Sequence, residues 1–512
     1  MPNFARSVFF AGLPSRAVIC MAIALVGQSS TLYADPGPGA IQVAPVGLPK
    51  VLSPGLYGFN LDFWFATHAA RLDNPTLLRA AAALHPMVLR YPGGTLANYW
   101  DWRTGWFVGH DLPNHLRWTK HRTHVPYTLS RFKAIVDATG AFPVFDLNLL
   151  TSKLSDQLSM LYQAQNLGLP VRYVELGNEF YLSKTGYKAR FPTPQSYALR
   201  ARRWATAIHH LFPKAHVAAV GFWHVPGQRP APRAAQWNAN IGPLAEVQAV
   251  TMHDYAPPAR FIPRAMLQGH LDASAIPLLL GLPFQAVRGL DESRDGLPVS
   301  LAHLPIWVTE YNLGPLRLGG HPYPDAIDAL WVHGLYNATL GLLLGQNPHV
   351  RMVLVHALIG SPMFSVLQIR SPYRRSASGY TLSLLYRSAK EATSLQILGF
   401  TPEPMAYPIP LLRSGRMPPY PTLLGAVFQG PRSQRAVLIN LSSQPRTLDM
   451  GKLLGGPFHY RERYAPAQMT IAGNQTPTTL SGNATTSFVL KPYAIALLRK
   501  VIILSPGRRA HQ

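Results

Sequence analysis

Short apolar runs alternate with stretches of helical periodicity between residues 55 and 395. Strands buried on both faces are near-continuous apolar runs, whereas helices carry apolar residues at i, i+3 and i+4. The sequence predicts eight strands, at GLYGFNL (55–61), MVLRYP (87–92), FPVFDLN (142–148), VRYVELGN (171–178), HVAAVGF (216–222), VQAVTMH (247–253), PIWVTE (305–310) and RMVLVHA (351–357). Eight strand-then-helix units indicate an α/β protein with a (β/α)8 barrel over residues 55–395.

Two of the intervening helices have clear end signals. Thr193 can cap one of them, Pro194 suits its first turn, and Pro213 stops it. Its apolar face is predicted to contain Tyr197, Ala201, Trp204, Ile208 and Leu211. The second helix, within YTLSRFKAIVDATG (127–140), is predicted to end at Gly140, which is a good C-terminal cap.

The pattern changes at about residue 396. From there the apolar runs are short and are separated by Gly, Pro, Ser and Asn, which is typical of an antiparallel β-sandwich. The runs are LLGAVFQG, RAVLINLSS, FHYRERYA, TSFVLKP and AIALLRK. We therefore predict a β-sandwich over residues 396–503 and a basic tail at 504–512, and IQVAP in the segment 35–54 could add a strand to the sandwich.

The first 34 residues resemble a secretory signal peptide. Arg6 and Arg16 precede an apolar run, AVICMAIALVG, that is too short to span a bilayer, and Ala34 is a candidate cleavage point. The alternative is an uncleaved anchor, which the short run disfavours. The only cysteine, Cys20, lies in this segment, so the mature chain would have no disulfide, Cys-ligated zinc or Cys nucleophile. We expect a secreted or periplasmic protein without a stable membrane anchor in its mature form.

Composition adds a strong basic charge to a globular chain. The apolar fraction is 47% and Lys plus Arg number 47 against 23 Asp plus Glu, for a net charge of +24. This excludes a disordered protein and favours either acidic partners or an acidic medium. No acidic residue lies between Glu179 and Glu246, which raises nucleic-acid binding as an alternative. However, no known DNA- or RNA-binding motif is present and the signal peptide exports the chain, so we expect no nucleic-acid partner.

The candidate chemistry lies in two of the eight glutamates. Glu179 in VELGNEFYL and Glu310 in IWVTEYNLG stand at the carboxyl ends of the fourth and seventh predicted strands, where parallel barrels build active sites. Residues of the fourth strand predicted to face the lumen are Tyr173, Glu175, Gly177 and Glu179. On the seventh strand, alternation places Ile306, Val308 and Glu310 on one side together.

Two carboxyl groups on one rim are what retaining glycoside hydrolysis requires, if one is held protonated and the other ionised. A glutamate chosen at random is more commonly a surface residue or an arginine partner. The contexts Gly-Asn-Glu and Thr-Glu-Tyr-Asn, both at strand ends and three βα units apart, favour the catalytic interpretation.

Several motifs occur in the order found in the clan A retaining glycoside hydrolases. LRYPGGTLANYWDWRTG (89–105) is similar to the strand-2 motif of family 51, the α-L-arabinofuranosidases and some endoglucanases. ELGNE (175–179) resembles family 79, which contains heparanase and β-glucuronidase-like enzymes, and MHDY (252–255) resembles the strand-6 His-x-Tyr element of the clan. The resemblance covers residues 55–360 and implies a TIM barrel with a β-sandwich and a glycosidase that needs no cofactor or metal.

The resemblance also implies roles for individual residues. Glu179 would be the acid/base, Glu310 the nucleophile, and Asn178 the hydrogen-bond donor to the sugar 2-hydroxyl, a contact that strengthens in the transition state. Arg90 is expected beneath the nucleophile, where a cation keeps a carboxylate ionised, and could also pair with Glu175.

Five further residues are candidates for the site. Tyr255 could donate to the nucleophile and His253 could orient the site, although a lone His or Tyr on a strand is often a core residue. The loop after the second strand is rich in aromatic residues, namely Tyr99, Trp100, Trp102, Trp106 and Trp118. At least half of these are expected to pack the loop, and Trp100 and Trp102 are the best candidates to stack on sugar. Asn148, which ends the third strand, is a weaker substrate-binding candidate.

The sequence therefore predicts an exported retaining glycosidase acting on a polysaccharide or oligosaccharide. The basic charge makes an acidic, uronic-acid-containing substrate our hypothesis. The alternatives are a catalytically silent glycan-binding protein and, less favoured, a basic nucleic-acid-binding protein. A loop cluster of His110, His115, His121 and His124 lacks the spacing of a metal motif, so no metal site is predicted there.

Overall fold

The computed structural model describes most of the chain after the N-terminal segment. The described residues are 39–61, 72–107, 112, 125–224, 229–263, 266, 271–314, 329–360, 364–406, 409–411, 415–471 and 474–500. The predicted signal peptide at 1–34 with Cys20, the loop residues His110, His115, Trp118, His121 and His124, and the tail at 504–512 lie outside them. No helix within the described ranges is long and apolar enough to cross a membrane.

The elements follow one another as the sequence pattern predicts, with additional short hairpins. The strands are β1 Ile41–Val51, β2 Tyr57–Asn60, β3 Val88–Tyr91, β4 Trp100–Asp101, β5 Trp106–Phe107, β6 Phe142–Asp146, β7 Tyr173–Glu175, β8 His216–Val220, β9 Ala249–Ala256, β10 Ile306–Leu313, β11 Val350–His356, β12 Ser394–Thr401, β13 Met405–Ala406, β14 Ile409–Leu411, β15 Gly415–Met417, β16 Tyr420–Pro421, β17 Leu423–Gly430, β18 Ser433–Asn440, β19 Arg446–Asp449, β20 Phe458–Tyr464, β21 Thr478–Ala484, β22 Ser487–Leu490 and β23 Ala494–Lys500. The helices are α1 Pro75–Ala82, α2 Gly94–Ala97, α3 Leu129–Thr139, α4 Leu154–Asn166, α5 Thr185–Arg190, α6 Pro194–Leu211, α7 Pro232–Ala235, α8 Trp237–Asn240, α9 Pro258–Phe261, α10 Ala275–Asp295, α11 Val299–Ala302, α12 Trp331–Gln346, α13 Ala377–Ala389 and α14 Gly451–Leu454.

Eight parallel strands close into a barrel in the order β2-β3-β6-β7-β8-β9-β10-β11, with β11 pairing back to β2. Each of these strands coincides with one of the eight predicted runs, so the barrel prediction is confirmed. These runs are recognisable in the sequence because each strand packs against helices on its outer face and against the barrel core on its inner face, so both faces are apolar. Six short strands form three separate two-stranded ribbons instead, namely β4 with β5, β13 with β16, and β14 with β15.

Side-chain alternation on β7 agrees with the prediction. Tyr173 belongs to the small core inside the barrel, while Val174 and Leu176 belong to the core between strands and helices. Residues that fill the barrel interior with Tyr173 are Val88, Val144, Ala218, Ala249, Trp307, Met352 and Leu354. The lumen below the site is therefore a packed core, as in other barrels of this size.

Strand β10 departs from simple alternation. Ile306 and Val308 pack outward in the strand–helix core, whereas Trp307 fills the lumen. The pairing register with β9 then shifts between Val308 and Glu310, so that β10 carries one extra residue. Thr309 and Glu310 both reach polar groups inside the barrel as a result. The prediction that Ile306, Val308 and Glu310 share one side is wrong, because a β-bulge reverses the facing of the strand just before its end.

The two helix-end predictions agree with the structure. The Thr193 side chain accepts from the backbone N–H of Ser196 at 3.2 Å and completes a capping box at the start of α6. Gly140 ends α3 in the left-handed conformation, with φ of 65°. On α6 the predicted apolar face is buried except for Leu211, which is the last residue of the helix and is exposed.

The C-terminal domain is a nine-stranded, largely antiparallel sheet in the order β21-β20-β23-β18-β17-β12-β1-β19-β22. The N-terminal strand β1 belongs to it, pairing with β12 and β19. The sheet folds over itself: β20 and β22 lie near opposite edges of the strand order, yet the ring centroids of Phe458 on β20 and Phe488 on β22 are only 6.4 Å apart. Inner-face residues of both halves share one apolar core, which gives the layered arrangement of a β-sandwich.

The outer face of this sheet rests on the barrel. Along β17, Leu424, Ala426 and Phe428 join the core that covers the barrel helices, while the alternate residues Leu423 and Val427 face the core of the sandwich. Because both faces of the strand are apolar and buried, the two domains pack together through a continuous hydrophobic contact.

Candidate active site

The polar centre of the barrel is built around Arg90, the last but one residue of β3. Its side chain is fully buried and donates from Nε and Nη2 to both oxygens of Glu175, at 2.8–3.1 Å. Nη1 lies 2.6 Å from Oε1 of Glu310, and Nη2 lies 2.7 Å from Oδ2 of Asp146. Arg90 therefore makes both contacts expected from the sequence, to the candidate nucleophile and to Glu175.

One guanidinium thus faces three buried carboxyl groups. Burial raises the pKa of Asp146 well above its usual value and also raises that of Glu175, and the charge of Arg90 opposes the shift in both cases. Asp146 is the weaker partner, since neither of its oxygens forms a well-directed hydrogen bond among the described residues. The proton that balances this cluster is therefore expected on Asp146.

Glu310 follows the bulge of β10 and is held ionised. Its Oε2 accepts a hydrogen bond of 2.5 Å from the hydroxyl of Tyr255, and its other oxygen faces Arg90. Burial by itself raises the pKa of Glu310, but His253, His356 and Arg90, with the hydrogen bond from Tyr255, outweigh it and lower the pKa to about 2. A carboxylate in this state is suited to act as a nucleophile.

Glu179 lies in a tight turn after β7. Gly177 has φ of 86°, and a Cβ at this position would lie 2.2 Å from the buried ring of Phe180. Glu179 itself has φ of 50°, an unusual left-handed conformation for a residue with a side chain. The strained turn brings the carboxyl group back over the barrel mouth, and such strain is commonly found at functional sites.

The surroundings of Glu179 differ from those of Glu310. Its Oε1 accepts from the Tyr181 hydroxyl at 3.0 Å and lies 3.2 Å from Nδ1 of His253. Its side chain is 15% exposed, against 5% for Glu310. Burial raises the pKa of Glu179 and Glu310 adds to this, but the hydrogen bond and charge of His253, with a contribution from Lys184, lower it overall.

The two glutamates and His253 form one compact group. A carboxylate oxygen of each glutamate and a ring nitrogen of His253 all lie within 4.8 Å of one another. This spacing would admit a cation, and no other group of three or more such side chains was found among the described residues. Tyr181 and Tyr255 already donate to these carboxylates, and Arg90 supplies a positive charge, so we assign no metal ion to the group.

Asn178 has one free donor in this setting. Its Oδ1 accepts from Arg90 at 2.9 Å, while its Nδ2 is buried with no hydrogen-bond partner among the described residues. Asn98 clamps its backbone, accepting from the N–H at 3.1 Å and donating to the carbonyl at 2.7 Å. The amide is thus fixed with a donor to spare, which suits the predicted contact to a sugar hydroxyl.

Two of the predicted substrate-binding residues are engaged in packing. Trp100 is buried, donates from Nε1 to the Tyr91 hydroxyl at 3.0 Å, and packs edge-on against Tyr91 and Tyr127. Asn148 uses its amide on the Trp100 carbonyl and on the backbone and hydroxyl of Thr151. These contacts give Trp100 and Asn148 structural roles at the loop, because they leave little of either side chain for a ligand.

Trp102 remains the better candidate of the two tryptophans. It is half-buried, with the guanidinium of Arg103 stacked 4.5 Å from its ring centroid. Its Nε1 has no hydrogen-bond partner among the described residues.

Sequence reasoning missed several polar residues of the site. Two of them are the last residues of barrel strands, Asp146 on β6 and His356 on β11, and Thr309 directly precedes Glu310 on β10. Position near the carboxyl end of a strand was the signal that could have identified them. Asn98 lies within the ANYWDW stretch that was interpreted only through its aromatics. Lys184 lies beside the turn of Glu179 and donates to the Thr95 hydroxyl at 3.1 Å.

Comparison with known proteins supports the fold assignment. No family model and no curated protein sequence matches this chain. Its structure is similar to that of a family 51 α-L-arabinofuranosidase from Thermotoga petrophila, with 16% identity, a TM-score of 0.63, and coverage of 90% of this chain and 99% of that chain. A family 51 α-L-arabinofuranosidase from Bifidobacterium longum gives 14% identity, a TM-score of 0.65 and the same coverage.

A third similar structure is a 4-O-α-L-rhamnosyl-β-D-glucuronidase from Fusarium oxysporum. It has 14% identity and a TM-score of 0.56, again over 90% of this chain and 99% of that chain. The chain thus shares the two-domain fold of these glycoside hydrolases, and the resemblance to clan A is confirmed at the level of the fold.

Proposed function

We propose that this chain is a retaining glycoside hydrolase that cleaves O-glycosidic bonds by double displacement. The observation that carries the proposal is the pair formed by Glu179, in the turn after β7, and Glu310, in β10, with carboxylate oxygens within 4.8 Å of each other. Retaining enzymes hold their two carboxyl groups about 5–5.5 Å apart, whereas inverting enzymes need about 6.5–9.5 Å to accommodate a water molecule. The close spacing favours retention.

The surroundings of the two carboxyl groups assign their roles. Glu310, buried against Arg90 and hydrogen-bonded by Tyr255, attacks the anomeric carbon as a carboxylate. Glu179 donates a proton to the departing oxygen, and the C–O bond breaks as the glycosyl ester forms on Glu310. In the second step Glu179 takes a proton from water, which attacks the same carbon and releases Glu310.

Asn178 contributes binding that strengthens during the reaction. Its buried Nδ2 has no partner in the free enzyme, and a sugar 2-hydroxyl would satisfy it. Hydrogen bonds to that hydroxyl strengthen as positive charge develops on the sugar ring, so the contact stabilises the transition state more than the bound substrate.

The finer part of the proposal is an anionic substrate, such as a glycan that contains uronic acid. The chain carries a net charge of +24, and Lys184 lies half-buried next to the acid/base turn. Its ammonium group donates to Thr95 and to Tyr187, but forms no ion pair with the described carboxylates. Burial lowers the pKa of Lys184, against the effect of both catalytic glutamates, and a carboxylate on the substrate would supply the missing counter-charge.

Thr95 places this ammonium near the reaction centre. The preceding residue, Gly94, is so close to Glu310 that a Cβ there would lie 3.5 Å from its Oε1. The lysine therefore approaches the site from the side of the β3 loop. The Fusarium oxysporum protein with the same fold acts next to a glucuronic acid, by its name, which agrees with an anionic sugar.

Hydrolysis of aryl-glycosides and polysaccharides, including uronic-acid polymers, tests the proposal. We expect turnover by the wild-type protein and none by Glu310→Gln. Tight glycan binding without turnover would instead support a glycan-binding protein on an inactive barrel, and salt-sensitive retention of DNA would support a nucleic-acid-binding protein.

Lys184→Met, with Lys214→Met as its control, tests the anionic specificity. Both variants lose one positive charge, but Lys214 is exposed in the turn before β8, at the opposite end of the barrel. We expect Lys184→Met to lower kcat/KM about 10–100-fold on an aryl-glucuronide, consistent with a charged hydrogen bond of about 1.5–3 kcal/mol, and to leave neutral aryl-glycosides unchanged. Equal losses on both substrates would refute the role of Lys184.

Salt provides an independent measure of the basic charge. The Debye length shrinks from about 30 Å at 0.01 M to about 10 Å at 0.1 M, so long-range attraction of a polyanion weakens over this range. If the substrate is anionic, kcat/KM on a charged polymer falls with salt while that on a neutral aryl-glycoside does not. Equal salt dependence on both would favour adaptation to an acidic medium as the reason for the charge.

We also propose that the protein is exported to the periplasm or the medium. The basic and then apolar pattern of residues 1–34 supports this. N-terminal sequencing of the protein recovered outside the cytoplasm should begin at or near residue 35, and recovery of the uncleaved chain would contradict it.

A further inference from the structure

We propose that Glu179 and His253 hold one catalytic proton between them, and that Thr309 fixes the ring nitrogen on which His253 keeps its own proton. This inference rests on the proposed hydrolase function and adds two positioning residues to it. The proposal is motivated by a continuous path of hydrogen bonds from Glu179 to Arg90, which contacts Glu310.

The set starts at the carboxyl group of Glu179. Its Oε1 lies 3.2 Å from Nδ1 of His253, and the other ring nitrogen, Nε2, lies 3.0 Å from Oγ1 of Thr309. The Thr309 hydroxyl then donates to Oε2 of Glu175 at 3.3 Å. Arg90 completes the path by donating to Glu175 and to Glu310.

Donor and acceptor roles along this path are determined by its far end. Glu175 accepts from Arg90 with both oxygens and therefore accepts, rather than donates, at Thr309. A hydroxyl has only one proton. Because Thr309 donates that proton to Glu175, it must act as the acceptor towards His253. Nε2 of His253 consequently carries a proton, and Nδ1 faces Glu179 either as an acceptor or, in the imidazolium, as a donor.

In both cases one proton lies between Nδ1 and Oε1. If the ring is neutral, Glu179 must be the protonated partner, because two bare acceptors would repel at this distance. If the ring is charged, Glu179 is a carboxylate that accepts from it. Burial and the charge of Glu310 raise the pKa of Glu179, whereas the hydrogen bond and charge of His253 lower it, so the imidazole is the partner that draws the proton of the pair away from Glu179.

The bulge in β10 makes this arrangement possible. Without the extra residue, Thr309 and Glu310 would point to opposite faces of the strand, and only one of them could reach the barrel interior. With it, the hydroxyl of Thr309 contacts His253 while the next carboxylate contacts Arg90 and Tyr255.

The proton count fits both steps of a double displacement. When the glycosidic bond breaks, the shared proton ends on the leaving oxygen, and the pair is left as a carboxylate and a neutral imidazole protonated on Nε2. Glu310 has then become an ester, and its negative charge, 3.7 Å from Nδ1, is lost. The pair recovers the proton from the attacking water in the second step, in which Glu179 acts as the base.

Other charged and titratable groups face the pair from the surrounding elements. They are Arg90 on β3, Asp146 on β6, Glu175 on β7, Tyr181 and Lys184 after β7, Tyr255 on β9, Glu310 on β10 and His356 on β11. None of them contacts Nε2 of His253, so among the described residues Thr309 alone acts on that nitrogen.

Thr309→Val tests the inference because it keeps the side-chain shape and removes the hydroxyl. Without the hydroxyl, Nε2 of His253 loses the acceptor that fixes its proton, and the charged form of the pair loses more than the neutral form because hydrogen bonds from a cation are stronger. We expect the alkaline limb of the kcat/KM profile to move down by about one unit. At neutral pH, rates on substrates with poor leaving groups should fall about tenfold, while dinitrophenyl substrates, which need little protonation, should be affected far less.

Thr309→Ser restores the hydroxyl and should restore the wild-type profile. Thr381→Val is the matched control, since Thr381 is equally buried, bonds only to backbone carbonyls on the helices α12 and α13, and should change stability but not the pH profile. If Thr309→Val does not fold, the pH profile of Thr309→Ser and the ring-nitrogen NMR signals of His253 in the wild type test the same assignment. At high pH, where the ring is neutral, we expect its proton on Nε2.

An unchanged alkaline limb in Thr309→Val, with equal losses on good and poor leaving groups, would overturn the shared proton and leave the hydrolase proposal intact. Absence of turnover by the wild-type protein on every glycoside would instead refute the proposed function itself.

Discussion

The turn after β7 and the strand β10 each carry a buried or nearly buried glutamate, in two different surroundings. Glu310 is buried, touches a guanidinium and a tyrosine hydroxyl, and has its pKa lowered to about 2. Glu179 lies in a strained turn, is more exposed, and touches an imidazole and a tyrosine. One carboxyl group is held as an anion, and the other has a partner with which it can exchange a proton. This difference is the basis on which we propose Glu310 as the nucleophile and Glu179 as the acid/base.

Removing each carboxyl group should give the largest effect and the clearest contrast. Glu310→Gln should lower kcat roughly 10⁴-fold or more on every substrate, because no nucleophile remains. Glu179→Ala should lower kcat/KM, which reports the first step, about 10²–10⁴-fold on poor leaving groups and far less on dinitrophenyl glycosides. Steady-state rates on a series of leaving groups measure this. A flat response to the leaving group in Glu179→Ala would reverse or remove the assignment.

Arg90→Met should destabilise the fold, because Arg90 is the cation shared by the β7 and β10 carboxylates. It leaves Glu175 and Glu310 buried without their cation, and breaking such a pair costs about 3–5 kcal/mol. We expect a large drop in the midpoint of urea unfolding at pH 7, which should partly recover on acidification as the carboxyl groups become protonated. An unfolding midpoint close to that of the wild type would mean that another group neutralises the charge of the buried carboxylates.

Gly177→Ala should affect the β7 side alone. Alanine at φ of 86° is strained, and its Cβ would lie 2.2 Å from the Phe180 ring, at a cost of about 1–3 kcal/mol. The displaced turn should slow substrates with poor leaving groups more than activated ones, since the nucleophile is untouched. Gly140→Ala, at a similarly left-handed position far from the site, is the control for strain alone. If Gly177→Ala and Gly140→Ala have the same kinetic constants on poor and activated leaving groups, the conformation of the turn does not contribute to catalysis.

Tyr255→Phe should shift the pH response of Glu310 by a small amount. Losing a hydrogen bond to the charged form raises the pKa of Glu310 by about one unit, so the acid limb of kcat/KM should move upward by that amount. The depressed pKa of Glu310 also stabilises the fold above the unfolded value of about 4.3, a contribution lost as the pH falls towards about 2. The loss should begin at a higher pH in Tyr255→Phe. An acid limb that does not move would show that His253, His356 and Arg90 set this pKa without the tyrosine.

The sequence was sufficient for the barrel because its information is local. Each of the eight strands is an apolar run bounded by polar or turn residues, and two catalytic candidates end such runs. The contacts of Arg90 to Glu175 and Glu310 could be expected from the same strand-end rule.

What the sequence could not provide depends on register and on packing between distant segments. The bulge of β10 leaves no mark in the pattern IWVTEYN, so alternation misplaced the side to which Glu310 points. Trp100 and Asn148 were candidates for sugar binding, but they bond to Tyr91 and Thr151 in the structure. Any exposed aromatic or amide can serve either purpose, and only the three-dimensional contacts decide.

The central claim, that β10 provides the nucleophile and β7 the acid/base, is tested most directly by azide rescue. Glu179→Ala and Glu310→Ala are each incubated with a dinitrophenyl glycoside and sodium azide, and the anomeric configuration of the glycosyl azide is determined by NMR. Azide should enter Glu179→Ala after the glycosyl ester has formed and give a product with the configuration of the substrate, whereas in Glu310→Ala it should replace the nucleophile and give the inverted product. The same configuration from both variants, or the two configurations exchanged, would contradict the account.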